Sequence, residues 1–313
     1  MDIIIVCHTE FGFVDEKTKA VIYEKRAGKG AREGVSNLIK IAGKYKAKIT
    51  FAVSPEVIDC FPKNTSHEIG LHIHPGWEEF KYKNFKWIVG DSFLKRNCVF
   101  NKTSTALADY NYQEQLEIIS KGKEYFVKKL SYEPKVFVAG RWALNTDTIK
   151  ALINLGFTHD CSAYPGLELN NSGWPKLKRI SMPYMPDGND YQSMGNLPFL
   201  IIPISRMPLG GMAGPEDIRK YGFSWLKACF SEYYNQGAPL FHIALHSPAM
   251  TDPYYIYFMD KFFSFVLKHK NINFKFASEI KEYPKKEIKE NYLYYPFALN
   301  KTLAKFFLNK LYH

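Results

Sequence analysis

The chain has 313 residues, 46% of them hydrophobic, enough to bury a large core as one big α/β domain or two medium ones, which excludes disorder as a starting assumption. Its formal charge is +11, from 42 Lys and Arg against 31 Asp and Glu, but the lysines are spread along the chain without an RNA-binding signature or zinc-finger spacing, which argues against a nucleic-acid partner. Cys7, Cys60, Cys98, Cys161 and Cys229 are odd in number and far apart, so they read as reduced core residues; no signal-peptide pattern or run of about 18 apolar residues occurs, and the expectation is a soluble cytoplasmic protein.

In chain order, the opening DIIIVC is a run of branched apolar residues without alternation, as in a parallel strand covered on both faces. REGVSNLIKIAGKY then carries Val35, Leu38, Ile39 and Ile41 at near-helical spacing, and KITFAV is a second strand. HEIGLHIH predicts a third strand, followed by a long aromatic, polar insertion from Pro75 to about Asp109. YQEQLEIISKGKEYFVKKL is a helix, with Leu116, Ile119, Tyr125, Phe126 and Leu130 among its apolar positions. KVFVAG is a strand. NTDTIKALINLG starts at an Asn145 cap and stops at Gly156, which suits a left-handed position after a helix. The short strand FTHDCS, the strand FLIIPI, the helix PEDIRKYGFSWLKACFSEYYNQG, the strand LFHIALH, the helix YYIYFMDKFFSFVLKHK and the strand NFKFAS complete the alternation. Strands and helices that alternate about seven times in about 280 residues imply one α/β domain built on a parallel sheet, closed or nearly closed into a barrel. The one plausible boundary lies in KEYPKKEIKEN, giving a domain over residues 1–285 and a basic tail over 286–313.

Functional groups of parallel α/β proteins gather at the C-terminal ends of strands. His8 ends the first strand, His72 and His74 the third, and His246 ends LFHIALH. Residues two apart on a strand share a face, so His72 and His74 can both aim into the barrel mouth, as can His8 and Glu10. Two imidazoles and a carboxylate from two strands match the donor set of a catalytic divalent metal. Arg141 follows KVFVAG and so also stands at a strand end.

The chain resembles the polysaccharide deacetylase (NodB-homology) superfamily in four blocks, in the family's order: VCHTEFGF, HEIGLHIHP, AGRWALNTDTIKALINLGFTHDCS and IALHSP. The resemblance covers residues 1 to about 280. It implies a distorted seven-stranded (β/α) barrel with loop insertions, and metal-dependent N-deacetylation of an acetamido sugar or glycan of surface-polysaccharide biosynthesis. Carried over, the metal ligands are Glu10, His72 and His74, the orienting arginine is Arg141, and His246 protonates the leaving amine. Zinc comes first among the metals, with nickel, cobalt and iron as the other candidates. The chain departs from the family at two points. The first motif usually carries two successive acidic residues, and here His8 stands where the base Asp is expected, so either His8 is the base and Glu10 the ligand, or the roles are exchanged. The second motif usually spaces its histidines four apart, and here they are two apart. The alternative reading is a remodelled barrel that binds a glycan or metabolite without hydrolysis.

Other signals are placed around this site. Trp142 offers an aromatic face for a sugar ring, with Trp77 and Trp87 as further candidates, and His159 and Asp160 in FTHDCS suggest pocket-lining groups, Asp160 as a substrate contact. YMPDGNDY, with Asp187 and Asp190, and PLGGMAGPE read as turn-rich loops over the same mouth. In the tail, Leu299, Leu303, Phe307 and Leu311 recur every four residues beside Lys301, Lys305 and Lys310, an amphipathic basic helix that either docks on the barrel or lies on anionic lipid at the inner membrane face.

Overall fold

Eight short parallel strands carry the architecture: β1 (Asp2–Thr9), β2 (Thr50–Val53), β3 (Glu68–Ile73), β4 (Val136–Ala139), β5 (His159–Asp160), β6 (Leu200–Ile201), β7 (Leu240–His246) and β8 (Asn273–Lys275). The computed structural model describes residues 1–15, 17, 19, 21–22, 28–75, 77–82, 85–90, 104–169, 172–284 and 287–311. Across the sheet the order is β6-β5-β4-β3-β2-β1-β7, with β8 paired to the first residues of β1. Each strand thus lies beside its predecessor until β7 returns to the far side of β1, the order of a (β/α) barrel. Closure is irregular. Between β6 and β7 the Ser205 N–H donates to the His242 carbonyl at 3.1 Å, and the His242 N–H donates to the Ser205 hydroxyl at 2.9 Å. The protein is therefore a distorted barrel, as expected.

Alternation along β1 explains why its sequence is apolar throughout. Ile3, Ile5 and Cys7 face the helical layer, whereas Ile4 and Val6 meet Ala52, Val136, Val138 and Cys161 inside the barrel. The inward series continues as His8 and then Glu10, so the lumen turns polar at the C-terminal ends of the strands.

The helices follow their spacing. α1 (Val35–Tyr45) buries Val35, Leu38, Ile41 and Ala42, and α2 (Tyr112–Leu130) starts at an Asn111 cap that is boxed with Glu114. α3 (Thr146–Asn154) begins where Asn145 accepts the Thr148 N–H at 3.0 Å, and the chain leaves through Gly156 at φ +78. One expectation is corrected. The single helix predicted over residues 215–237 is a short turn, Ile218–Tyr221, and then α4 (Phe223–Asn235), separated by Gly222 at φ 87. A Cβ at Gly222 would lie 2.4 Å from the Asn300 side chain, whose amide donates to the Tyr221 carbonyl at 2.9 Å, so the break receives the C-terminal segment. α5 (Pro253–Val266) and α6 (Lys301–Leu311) complete the set.

Of the insertion after Pro75, residues Trp77–Tyr82 and Phe85–Gly90 form an antiparallel hairpin, and residues 91–103, with Cys98, lie outside the described residues, as do the side chains of Trp77 and Trp87. The described part of the tail packs on the barrel: Ile288, Tyr295, Ala298 and Leu303 join the main core. Glu232, with no exposed surface, anchors this segment by accepting two bonds from Arg179, one from the Tyr295 hydroxyl at 2.6 Å and one from the Asn291 N–H at 2.7 Å. No helix among the described residues is long and apolar enough to cross a membrane.

Candidate metal centre

At the top of β1 and β3 the structure brings Glu10, His72 and His74 together. The Nε2 atoms of His72 and His74 lie 2.6 Å and 3.1 Å from the same oxygen of Glu10, and all three side chains are buried. His72 Nδ1 lies 3.0 Å from the Val138 carbonyl, which can only accept, so Nδ1 carries the proton. An imidazole nitrogen and a carboxylate oxygen this close need a cation between them, either a proton or a metal ion. A carbonyl fixing the far nitrogen is also how proteins orient histidines that bind metals. The donor set therefore fits a divalent ion. Burial works to raise the Glu10 carboxyl, but the hydrogen bonds to His72 and His74 outweigh it and hold the group well below the usual carboxylate range.

His74 follows the last residue of β3, and its ring rests against the backbone of Gly140. A Cβ at position 140 would stand 2.4 Å from His74 Nδ1, so the glycine makes room for the imidazole. That Nδ1 is buried with no hydrogen-bond partner among the described residues.

His8 occupies the middle of the cluster. Its ring centroid is 4.9 Å from that of His72, 4.7 Å from that of His246 and 4.4 Å from that of Trp142, and its Nε2 is buried without a hydrogen-bond partner. Burial first, and then His246 and His72, push the His8 imidazole well below its ordinary range, which keeps it neutral. Trp142 reaches His8 through an unusual turn. Arg141 (φ 63) and Trp142 (φ 58) both adopt left-handed backbone directly after β4, a conformation costing about 1–3 kcal/mol per residue. Trp174 Nε1 donates to the Trp142 carbonyl at 2.9 Å and holds the turn in place.

His246, at the end of β7 and in register with His8, rests on a carboxylate that the sequence reading missed. One oxygen of Glu216 accepts the His246 N–H at 2.6 Å and lies 3.2 Å from Nδ1 of the same residue. Burial alone would lower His246, but the bond to Glu216 and the charges of Glu10 and Glu216 outweigh it and raise the imidazole above its ordinary range. Glu216 lies in GMAGPEDIRK, thirty positions before its partner, and its only sequence signal is its place in a turn-rich loop expected over the mouth.

Arg141 stands exposed at the rim, where its charge acts on His74. The structure does not bring Asp160 to this site. Cys161 packs inside with Val136 and Val138, so alternation turns Asp160 to the opposite face, where the Ser162 N–H and hydroxyl donate to its carboxylate. His159 is likewise held elsewhere, with Nε2 donating to the Ile280 carbonyl at 3.0 Å and the residue paired with Val136 at the start of β4.

No protein-family model and no curated protein matches the chain. Solved structures do. A Mycobacterium smegmatis protein described as a polysaccharide deacetylase superposes with a TM-score of 0.56 at 16% identity, covering 88% of this chain and 87% of its own. A Pseudomonas aeruginosa PAO1 protein described in the same terms gives a TM-score of 0.57 at 17% identity, and PuuE allantoinase gives 0.58 at 17%; each pair covers 89% of this chain and 88% of the other. At this identity the likeness is one of fold: the chain has a distorted (β/α) barrel like that of these solved structures.

Proposed function

We propose that the protein is a metal-dependent N-deacetylase acting on an acetamido sugar or glycan of surface-polysaccharide biosynthesis, working in the cytoplasm. The observation that carries this reading is the convergence of His72 Nε2 and His74 Nε2 on one oxygen of Glu10, at 2.6 and 3.1 Å. A divalent metal held by Glu10, His72 and His74, zinc first and nickel, cobalt or iron otherwise, would supply Lewis acidity toward the amide carbonyl and toward water. The remaining steps belong to side chains. His8, neutral and with a free buried nitrogen, accepts the proton of the attacking water. His246, its imidazole raised above the ordinary range beside Glu216, donates a proton to the departing nitrogen as the C–N bond breaks, so that acetate and a free amine leave. Trp142 offers its ring to the sugar face next to these groups, and Arg141 at the rim provides a cation for the reacting oxygens or an acidic glycan.

The second reading, a barrel that binds a glycan or metabolite without hydrolysis, is favoured by one specific feature: His8 stands where a base carboxylate is expected, leaving Glu10 as the carboxylate among the converging donors. Metal analysis and acetate release from N-acetylglucosamine oligomers separate the two. Under the first reading the parent binds one metal and releases acetate, His8→Ala keeps the metal and loses turnover, and Glu10→Ala loses the metal. A parent with no stoichiometric zinc, nickel, cobalt or iron, and no activity on adding one, would overturn the enzyme reading; a fully active His8→Ala would remove His8 from the mechanism.

A further inference from the structure

The segment from Tyr292 to Leu299 carries an exposed apolar face that the proposed chemistry does not use. Phe297 is 94% exposed, Leu293 75% and Leu299 67%. These side chains do not belong to a loosely attached end, because the backbone beneath them is pinned. Tyr295 is buried with its ring 4.6 Å from that of Trp225 and its hydroxyl on Glu232, Ala298 is buried, and Asn300 is tied to Tyr221. α6 continues the pattern. Its inner side docks through Leu303 and through Phe306, whose ring is 5.4 Å from that of Tyr221, while Phe307 and Leu308 face outward. One apolar side of the segment is thus docked on the barrel and a second is left exposed.

Charge decides what covers that second side. From Asn291 to His313 the sequence contains Lys301, Lys305 and Lys310 and no acidic residue; the residues just before it, Glu287, Lys289 and Glu290, carry both signs. We infer that this face docks the protein on an anionic lipid bilayer, with Leu293, Phe297 and Leu299 entering the headgroup boundary and Lys301 and Lys305 meeting lipid phosphates. Exposed apolar side chains in a segment that carries basic and no acidic residues suit such surfaces, each basic residue near the surface adding to the attraction. A second copy fits less well, since a two-fold contact would set one lysine group against the other with no acidic residue in the segment to pair them. The face also has depth: Tyr292 and Leu299, with Leu209, border an apolar cavity of about 690 Å³. This inference does not depend on the metal site, and the two can fail separately.

Co-sedimentation with vesicles tests it. The full chain is expected to sediment with phosphatidylglycerol vesicles, to stay in solution with phosphatidylcholine vesicles, and to be released as salt is raised. Replacing both Leu293 and Phe297 by Ser should weaken partitioning by roughly tenfold or more without moving the thermal melt, because neither side chain is buried. Lys301→Glu combined with Lys305→Glu should weaken it and flatten the salt dependence. Equal sedimentation with both vesicle types, none with either, or unchanged binding of the Ser variant overturns the inference. So does a concentration-dependent dimer of the parent that the Ser variant abolishes, which would make the face a self-interface.

Discussion

Asp160→Asn separates two roles for a residue that the sequence places at the site and the structure places behind it. Asp160 has no exposed surface; burial pushes its carboxyl up, against the opposing bonds from Ser162, to about 7. In the unfolded chain the same group titrates near 3.8. The folded state therefore holds the proton more tightly, so the contribution to stability is fully present below the unfolded value and is lost as pH rises through about 7. At about 1.4 kcal/mol per unit, a difference of about three units corresponds to about 4 kcal/mol in full, of which about 2–3 kcal/mol falls between pH 5 and pH 8. Asparagine cannot ionise, yet it can accept the Ser162 N–H and donate to the Ser162 oxygen. Urea unfolding at pH 5 and pH 8 should show the variant gaining on the parent by about 2–3 kcal/mol over that interval, with KM for an acetylated oligosaccharide unchanged. A pH-independent difference between variant and parent would refute the buried-carboxyl argument, and a KM raised tenfold at unaltered stability would return Asp160 to the substrate.

Three further outcomes follow from the geometry. Gly140→Ala sets a methyl group where the His74 ring now lies, so metal content should fall well below one per chain while the melt shifts by only a few degrees; full occupancy measured by elemental analysis would show that the ring has room to move. Glu216→Gln keeps an acceptor for the His246 N–H but removes the charge that raises the imidazole, so the alkaline limb of the kcat profile should move to lower pH with metal content unchanged; an unmoved limb would take His246 out of the role of proton donor. Arg179→Met leaves the Glu232 carboxylate buried without its cation and should cost about 3–5 kcal/mol in denaturant unfolding, part of it recovered when Glu232→Gln, which removes the charge and keeps an acceptor for Tyr295 and Asn291, is added; an additive double variant would refute the coupling.

The barrel was legible because its signals are local. Uniform apolar runs marked β1 and β7, an Asn cap and a terminal Gly bounded α3, and two-residue alternation alone put His72 with His74 and His8 with Glu10. What escaped depends on partners distant in sequence. The break at Gly222 is set by Asn300, which no helical periodicity over residues 215–237 can register. Asp160 sits in a strand of two residues, too short for alternation to say which face it takes. The left-handed turn at Arg141 and Trp142 has no Gly or Asn at either position to announce it, since tertiary contacts such as the bond from Trp174 impose it. Glu216 became visible only when the fold brought a loop after β6 against the end of β7.

His8 in place of a carboxylate changes how the pocket is charged. A second acid at that position would be buried on the same strand face as Glu10, and two carboxylates so placed resist joint ionisation unless both are neutralised. An imidazole avoids that conflict, at the expense of basicity, because burial and the neighbouring His246 hold His8 well below its ordinary range. On the other side of the same ring, Glu216 and Glu10 raise His246. The pocket thus drives two adjacent histidines, 4.7 Å apart between centroids, in opposite directions: His8 is shifted toward the neutral form that accepts a proton, and His246 toward the charged form that gives one. Two like groups whose environments separate their titrations are what paired acid and base catalysis requires at a single pH. His8 at this position is therefore compatible with the hydrolysis proposed above, provided that Glu216 is present to keep the two histidines unequal.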